Sequence, residues 1–146
     1  MSTLGYPLMI TCHAIGMAIM VGLAVSLDLR LLGRFQGIPY PALHRFLGLA
    51  WLGFGINFLS GAALFTTKPM DYVNDYVFMT KITCVLAGAI TAALLQTSVG
   101  RDSGSWSIVK APGKVRAIAL LSIVFWFTAI VAGRLTAYIM SPIVGT

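Results

Sequence analysis

Acidic residues are scarce in this sequence, which contains four of them against ten lysines and arginines. Charged residues of both signs together make up 10% of its 146 residues, whereas a soluble domain carries about 25%. So little charge cannot cover the surface of a soluble domain of this length. The composition therefore excludes a soluble globular protein and makes the hydrophobic residues, 58% of the chain, the main source of information.

Cysteine and histidine are also rare, with two of each. The cysteines, Cys12 and Cys84, lie inside apolar runs and form no CxxC motif, so they say little about the redox compartment. The first seven residues, MSTLGYP, contain no basic segment and no small-residue cleavage site. We therefore expect no removable signal peptide.

Long apolar runs are what the sequence does contain. From Leu8 to Leu27 there is no lysine, arginine, aspartate or glutamate, and twenty helical residues span about 30 Å, the thickness of a bilayer core. Four such spans are predicted, at residues 8–32, 42–66, 76–99 and 114–140. The fold class predicted is all-α, an integral membrane four-helix bundle that forms a single transmembrane domain over residues 1–146.

Small residues spaced at four predict the packing faces of these helices, because they let helix backbones approach closely. The predicted stripes are Ala14/Ala18/Gly22, Gly53/Asn57/Gly61 and Gly88/Ala92.

The charges of the loops predict how the helices are oriented in the membrane. The first and third connections and their flanks hold an excess of basic residues, whereas the second holds Lys68 with Asp71 and Asp75. The positive-inside rule then places both termini on the outer side of the membrane. In a Gram-negative bacterium this is the periplasmic side, and the expected location is the bacterial cytoplasmic (inner) membrane. The net charge of +6 is explained by these loops, so the expected partner is the lipid bilayer and not nucleic acid.

Three basic residues from three spans share one depth. With this orientation His13, Lys81 and Arg134 all lie roughly 8–10 Å inside the outer boundary. Asn57 lies near that level, and Tyr138 follows Arg134 by four residues on the same helix face. No acid lies within a span at this level, although a buried cation needs a partner.

The three basic residues at this depth can be interpreted in several ways. Lys81 and Arg134 can snorkel to the headgroups, and His13 can be a neutral core imidazole. Alternatively, Asp71 or Asp75 folds down, or a bound anion supplies the charge. A haem b would fit the last case, with His13 on iron and its two propionates near Lys81 and Arg134.

The second ligand of a haem iron cannot be the other histidine of the chain. His44 cannot share an iron with His13, because it starts the second span, about 25 Å away along the membrane normal. The second haem ligand is therefore open: a vacant position, Met17, or a residue of another subunit.

A copper site is the alternative cofactor prediction, since soft ligands for Cu(I) lie in the outer half of the bundle: Met9, Cys12, His13, Met17 and Cys84.

Several segments carry a family resemblance: His13 followed by SLDLRLLG (26–33), YVNDYVFMTK (72–81) and AGRLTAY (132–138). The chain resembles a family of small bacterial four-helix membrane proteins of unassigned function. More distantly, it is similar to the HemJ-type protoporphyrinogen oxidases and, in layout, to the copper-resistance D membrane proteins. The HemJ resemblance implies His13 as an axial ligand of haem b and Lys81 as a propionate or substrate partner. Further HemJ-type motifs are missing, so the oxidase activity does not carry over.

The expected function is thus a haem b-binding inner-membrane redox protein, an oxidoreductase if it is an enzyme. It would exchange electrons with quinone or with a membrane partner subunit, and homo-oligomerisation is open. The alternatives are a copper-handling membrane protein and a structural subunit of a larger membrane complex.

Overall fold

The computed structural model describes residues 3–35, 37–102 and 112–139. All regular structure in these residues is helical, with four long helices and one short one: α1 (Gly5–Leu31), α2 (Tyr40–Phe65), α3 (Pro69–Val73), α4 (Tyr76–Asp102) and α5 (Gly113–Ile139). The four long helices confirm the four predicted spans. The predicted end of the fourth span, Met140, lies outside the described residues.

The four long helices are long and apolar enough to cross a membrane. Between 22% and 33% of the most apolar window of each helix is buried inside the protein. Most apolar side chains of the described helices therefore face outward, as a lipid environment requires. This arrangement supports contact with the bilayer and a multi-pass membrane protein.

The short helix α3 was not predicted from the sequence. It begins at Pro69, whose missing N–H is tolerated in a first helical turn. Asp75 then separates α3 from α4, and its Oδ1 accepts a hydrogen bond of 3.0 Å from the backbone N–H of Val77. Asp75 thus caps the start of α4, a role in which a carboxylate also meets the positive end of the helix dipole.

The bundle is built from two helical hairpins, α1–α2 and α4–α5. Within each hairpin the helices pack extensively, whereas α1 touches α5 less and α2 touches α4 least among these pairs. We call the boundary between the two hairpins the hairpin seam. The end of the bundle that carries α3 is called the α3 end, and the opposite end, where α1 runs into α2, is called the loop end.

The α1–α2 hairpin closes at two glycines. A Cβ atom on Gly16 would lie 2.7 Å from the carbonyl oxygen of Gly53 and 2.7 Å from the backbone nitrogen of Asn57. The predicted small-residue stripe of α2 is confirmed, since Gly53, Asn57 and Gly61 all approach α1.

The small-residue stripe predicted for α1 was wrong. Ala14, Ala18 and Gly22 are exposed, and nothing lies within 4 Å of a Cβ placed on Gly22. Gly16 makes the contact instead. Small residues on an apolar helix occur on more than one face, so their spacing alone did not identify the face that packs.

The α4–α5 hairpin closes around an indole ring. Trp126 of α5 is fully buried, and a Cβ on Gly88 of α4 would lie 2.8 Å from its Cε2 atom. Ala92, one turn further along α4, is also buried, which confirms the predicted stripe there. Only glycine leaves room for the indole at this crossing.

Candidate functional site at the hairpin seam

His13 is the centre of the candidate site. It lies on α1 and faces α2, where its Nδ1 is 3.0 Å from the carbonyl oxygen of Asn57. Nδ1 is also 3.2 Å from the hydroxyl oxygen of Ser60. A Cβ on Gly61 would lie 3.1 Å from His13 Cε1, so glycine at this position makes the space that the imidazole fills.

These contacts decide which nitrogen of the ring carries the proton. The Asn57 carbonyl oxygen can only accept a hydrogen bond, so Nδ1 must donate. The Ser60 hydroxyl already donates to the carbonyl oxygen of Ile56 at 2.6 Å, so it too acts as an acceptor toward His13. In the neutral imidazole Nε2 is then left with its lone pair, directed away from α2.

Lys81 of α4 lies on the Nε2 side of the ring. Its Nζ is 3.5 Å from His13 Nε2, a long contact in which the amine faces the lone pair. The stem of Lys81 packs on Gly133 of α5, where a Cβ would lie 3.4 Å from Cε. His13 and Lys81, predicted at one depth, are therefore brought into contact across the hairpin seam.

Asn57 adds an unsatisfied polar atom to this region. Its side chain is 7% exposed, and its Oδ1 has no hydrogen-bond partner among the described residues. A buried carbonyl oxygen without a partner costs about 1–3 kcal/mol. The predicted site residue Asn57 thus acts in two ways, since its backbone orients His13 and its side chain offers a free acceptor.

The aspartates of the second loop do not neutralise the cations of the site. Asp71 is exposed, and Asp75 caps α4. Within the described part of the chain Lys81 has no polar contact besides His13. The interpretation in which the loop folds an aspartate onto Lys81 finds no support.

The other predicted site residues lie apart from this contact. Arg134 and Tyr138 have exposed side chains on α5, with Tyr138 68% exposed. Met17, one turn from His13 on α1, is partly buried against the hydrophobic core. The assignment of these three residues to a cofactor remains a prediction.

His44 lies in the first turns of α2, at the loop end and hence at the end opposite to His13. Its imidazole packs against α4, where a Cβ on Gly100 would lie 2.8 Å from Nε2. The two histidines are thus held against different helices near opposite ends of the bundle, as the depth estimate required. Cys12 and Cys84 are both free and half-buried.

An aromatic cluster that sequence reasoning missed, here called the aromatic cap, lies at the α3 end of the bundle. Phe65, Tyr72 and Phe78 form a cluster with ring centroids 4.9 to 6.1 Å apart. Phe65 lies one turn beyond Gly61 on α2, and Phe78 lies one turn before Lys81 on α4, so both share the helix faces that carry the site. The sequence signal was the spacing of the aromatic residues, since Phe65 follows Gly61 by four residues and Phe78 precedes Lys81 by three.

Tyr72 belongs to α3 and completes this cap. Partial burial raises the pKa of the Tyr72 phenol above its ordinary value, and the nearby Tyr6 and Asp71 raise it further. The phenol therefore stays neutral at physiological pH.

Comparisons of the chain with protein-family models, with curated proteins and with solved structures give no match.

Proposed function

We propose that this chain is a haem b-binding membrane redox protein and that His13 is its iron ligand. The observation that supports this proposal most is the fixed orientation of the imidazole, with Nδ1–H on the Asn57 carbonyl and Nε2 turned to the hairpin seam. Metal-ligating histidines characteristically donate their second ring N–H to a carbonyl or carboxylate, which fixes the tautomer and makes the ligating nitrogen more basic.

The surroundings of His13 also fit a haem. The porphyrin is a flat apolar group, and across the seam the long helices pack less extensively than they do within either hairpin. The unpartnered Asn57 Oδ1 would accept a hydrogen bond from a donor on a bound molecule or from a water beside it. A haem would supply one-electron transfer, and this chain would orient it and keep bulk water away.

Lys81 would act at the same group as His13. Its amine lies 3.5 Å from Nε2, so it would have to swing aside for an iron at that nitrogen and would then lie beside the bound group. Arg134 would reach such a molecule only by turning from its exposed position. Lys81 is therefore the stronger candidate for compensating the negative charge of a propionate.

An absorption spectrum of the purified protein tests the proposal. Protein expressed with ample haem should show a Soret band, and His13→Ala should abolish it because no other imidazole faces the seam near Lys81. His44→Ala is the matched control and should retain the band, since His44 packs on Gly100 at the loop end. Lys81→Met should weaken haem retention without removing the iron ligand.

Two outcomes would contradict the proposal. One is a wild-type protein without Soret absorbance under these conditions. The other is an equal loss of haem in His13→Ala and His44→Ala, which would indicate general unfolding or adventitious haem.

Copper handling remains the alternative to haem. The described residues contain no group of three or more histidines, cysteines or acids that could hold a metal ion. A copper site would therefore depend on methionines such as Met9 and Met17 beside His13. Metal analysis of the purified protein distinguishes this alternative, and absence of both haem and copper would favour a structural subunit.

The proposed setting is the cytoplasmic membrane of a bacterium, with the α3 end on the outer side. The basic residues flanking the loop end support that orientation through the positive-inside rule. The electron partner would be a quinone or a membrane protein subunit, since both reach a site inside the bilayer.

A further inference from the structure

A buried carboxyl group lies far from the His13 site. Asp28 is on α1, three residues before the helix ends at Leu31, and its side chain is 1% exposed. It faces the hydroxyl of Ser122 on α5, which is fully buried. The two side chains thus meet inside the bundle near its loop end, where α1 contacts α5.

Neither of these side chains has its polar atoms satisfied. Asp28 Oδ2 and Ser122 Oγ are both buried and without a hydrogen-bond partner among the described residues. A buried hydroxyl without a partner is costly, and a buried carboxylate without a counter-charge costs several kcal/mol. The pair therefore requires something that the described side chains do not supply.

Neither of the two cations nearest to this pair along α1 and α5 forms an ion pair with Asp28. Arg30 follows Asp28 by two residues, about 200° around the helix. Its Nε donates to the Ile38 carbonyl oxygen at 2.7 Å, and its guanidinium lies 4.1 Å above the Tyr40 ring. Arg116 lies six residues before Ser122, about 9 Å along α5, and its buried Nε has no hydrogen-bond partner among the described residues. Asp28 accordingly forms no ion pair within the described ranges.

We propose that Asp28 and Ser122 form a binding site for a monovalent cation, either a sodium ion or a proton. A carboxylate oxygen and a hydroxyl oxygen are hard ligands of the kind that sodium prefers, and a proton on the carboxyl would donate to Ser122 Oγ. Either cation removes the uncompensated charge.

This site is independent of the proposed haem function, and it can be tested without haem. Thermal unfolding of the purified protein would be compared in sodium, potassium and choline chloride at equal ionic strength. Sodium at about ten times its Kd should raise the unfolding temperature by roughly 3–5 °C over choline. Asp28→Asn and Ser122→Ala should remove the shift, whereas Asp71→Asn, at an exposed aspartate, should keep it.

A proton would give a different result. The unfolding temperature would then be the same in sodium, potassium and choline chloride. The infrared spectrum of the wild-type protein at neutral pH would show the carbonyl stretch of a protonated carboxyl, and Asp28→Asn would lack this band. The proposal is overturned if wild-type protein shows neither a metal-cation shift nor that band. The wild-type measurements alone decide this outcome, even where a variant fails to fold.

Discussion

Replacing Gly16 by alanine tests the closest helix contact of the bundle and the support of His13 together. A Cβ at Gly16 would lie 2.7 Å from the Gly53 carbonyl oxygen and from the Asn57 nitrogen, whereas ordinary contact begins at 3.4 Å. The shortfall is at least 0.7 Å, and both neighbours are backbone atoms that cannot rotate away. The substitution must therefore push α1 and α2 apart.

The expected loss can be estimated. Overpacking of a close-packed interior costs about 1–3 kcal/mol, while alanine in place of glycine favours the helix by up to about 1 kcal/mol. Gly22→Ala is the matched control, because the same helix offers open space there. We expect Gly16→Ala to be less stable than Gly22→Ala by about 1–3 kcal/mol, the overpacking cost that the control lacks.

Reversible unfolding in mixed detergent micelles would measure this difference. Because Asn57 moves with α2, Gly16→Ala should also lengthen the bond from His13 Nδ1 to the Asn57 carbonyl oxygen, which NMR of labelled histidine would detect. Equal stability of the Gly16 and Gly22 variants would refute the close contact, and with it the reasoning that fixes the imidazole.

Three further predictions follow from other parts of the molecule. A reporter that is active only outside the membrane should work when fused after Thr146 and fail when inserted near Ser103; the reverse would invert the assigned orientation. Phe78→Ala should open the aromatic cap. In a variant without native cysteines that carries Lys81→Cys, this change should speed the reaction of the new thiol with a membrane-impermeant reagent. An unchanged rate would show that the cap does not control access. Arg30→Met should lower the unfolding free energy by about 1–3 kcal/mol, because the Ile38 carbonyl and Tyr40 hydroxyl lose a donor; unaltered stability would contradict this.

The four long helices could be predicted because the bilayer imposes one simple rule on sequence. Each span must be apolar for about 20 residues, and this property is readable without knowing any contact. The short helix α3 was not predicted because it has only five residues, Pro69–Val73, and buries none of them, so no apolar periodicity marks it. Packing faces were harder, since in lipid both faces of a helix are apolar and exposed Ala14 resembles buried Ala24 in sequence.

The candidate site was partly predictable for a related reason. Depth along the membrane follows from residue number, so His13 and Lys81 could be placed at one level. Rotation around each helix does not follow from depth, and for this reason Arg134 was grouped with them although its side chain is exposed. Asp28 lies four residues before the predicted end of the first span, residue 32, and at that depth only the rotation of the helix decides whether its side chain meets headgroups or the bundle core.

The two proposed sites share helix α1 and should nevertheless behave independently. His13 and Asp28 are fifteen residues apart, which corresponds to about 22 Å along the helix. Two unit charges at that distance interact by about 0.8 kcal/mol at an effective dielectric constant of 20, less than a tenfold change in an equilibrium constant. Asp28→Asn should therefore keep the Soret band, and His13→Ala should keep the cation-dependent stability or the carboxyl band. Loss of both properties in either variant would show that α1 couples the sites through its packing, because direct electrostatics is too weak at this distance.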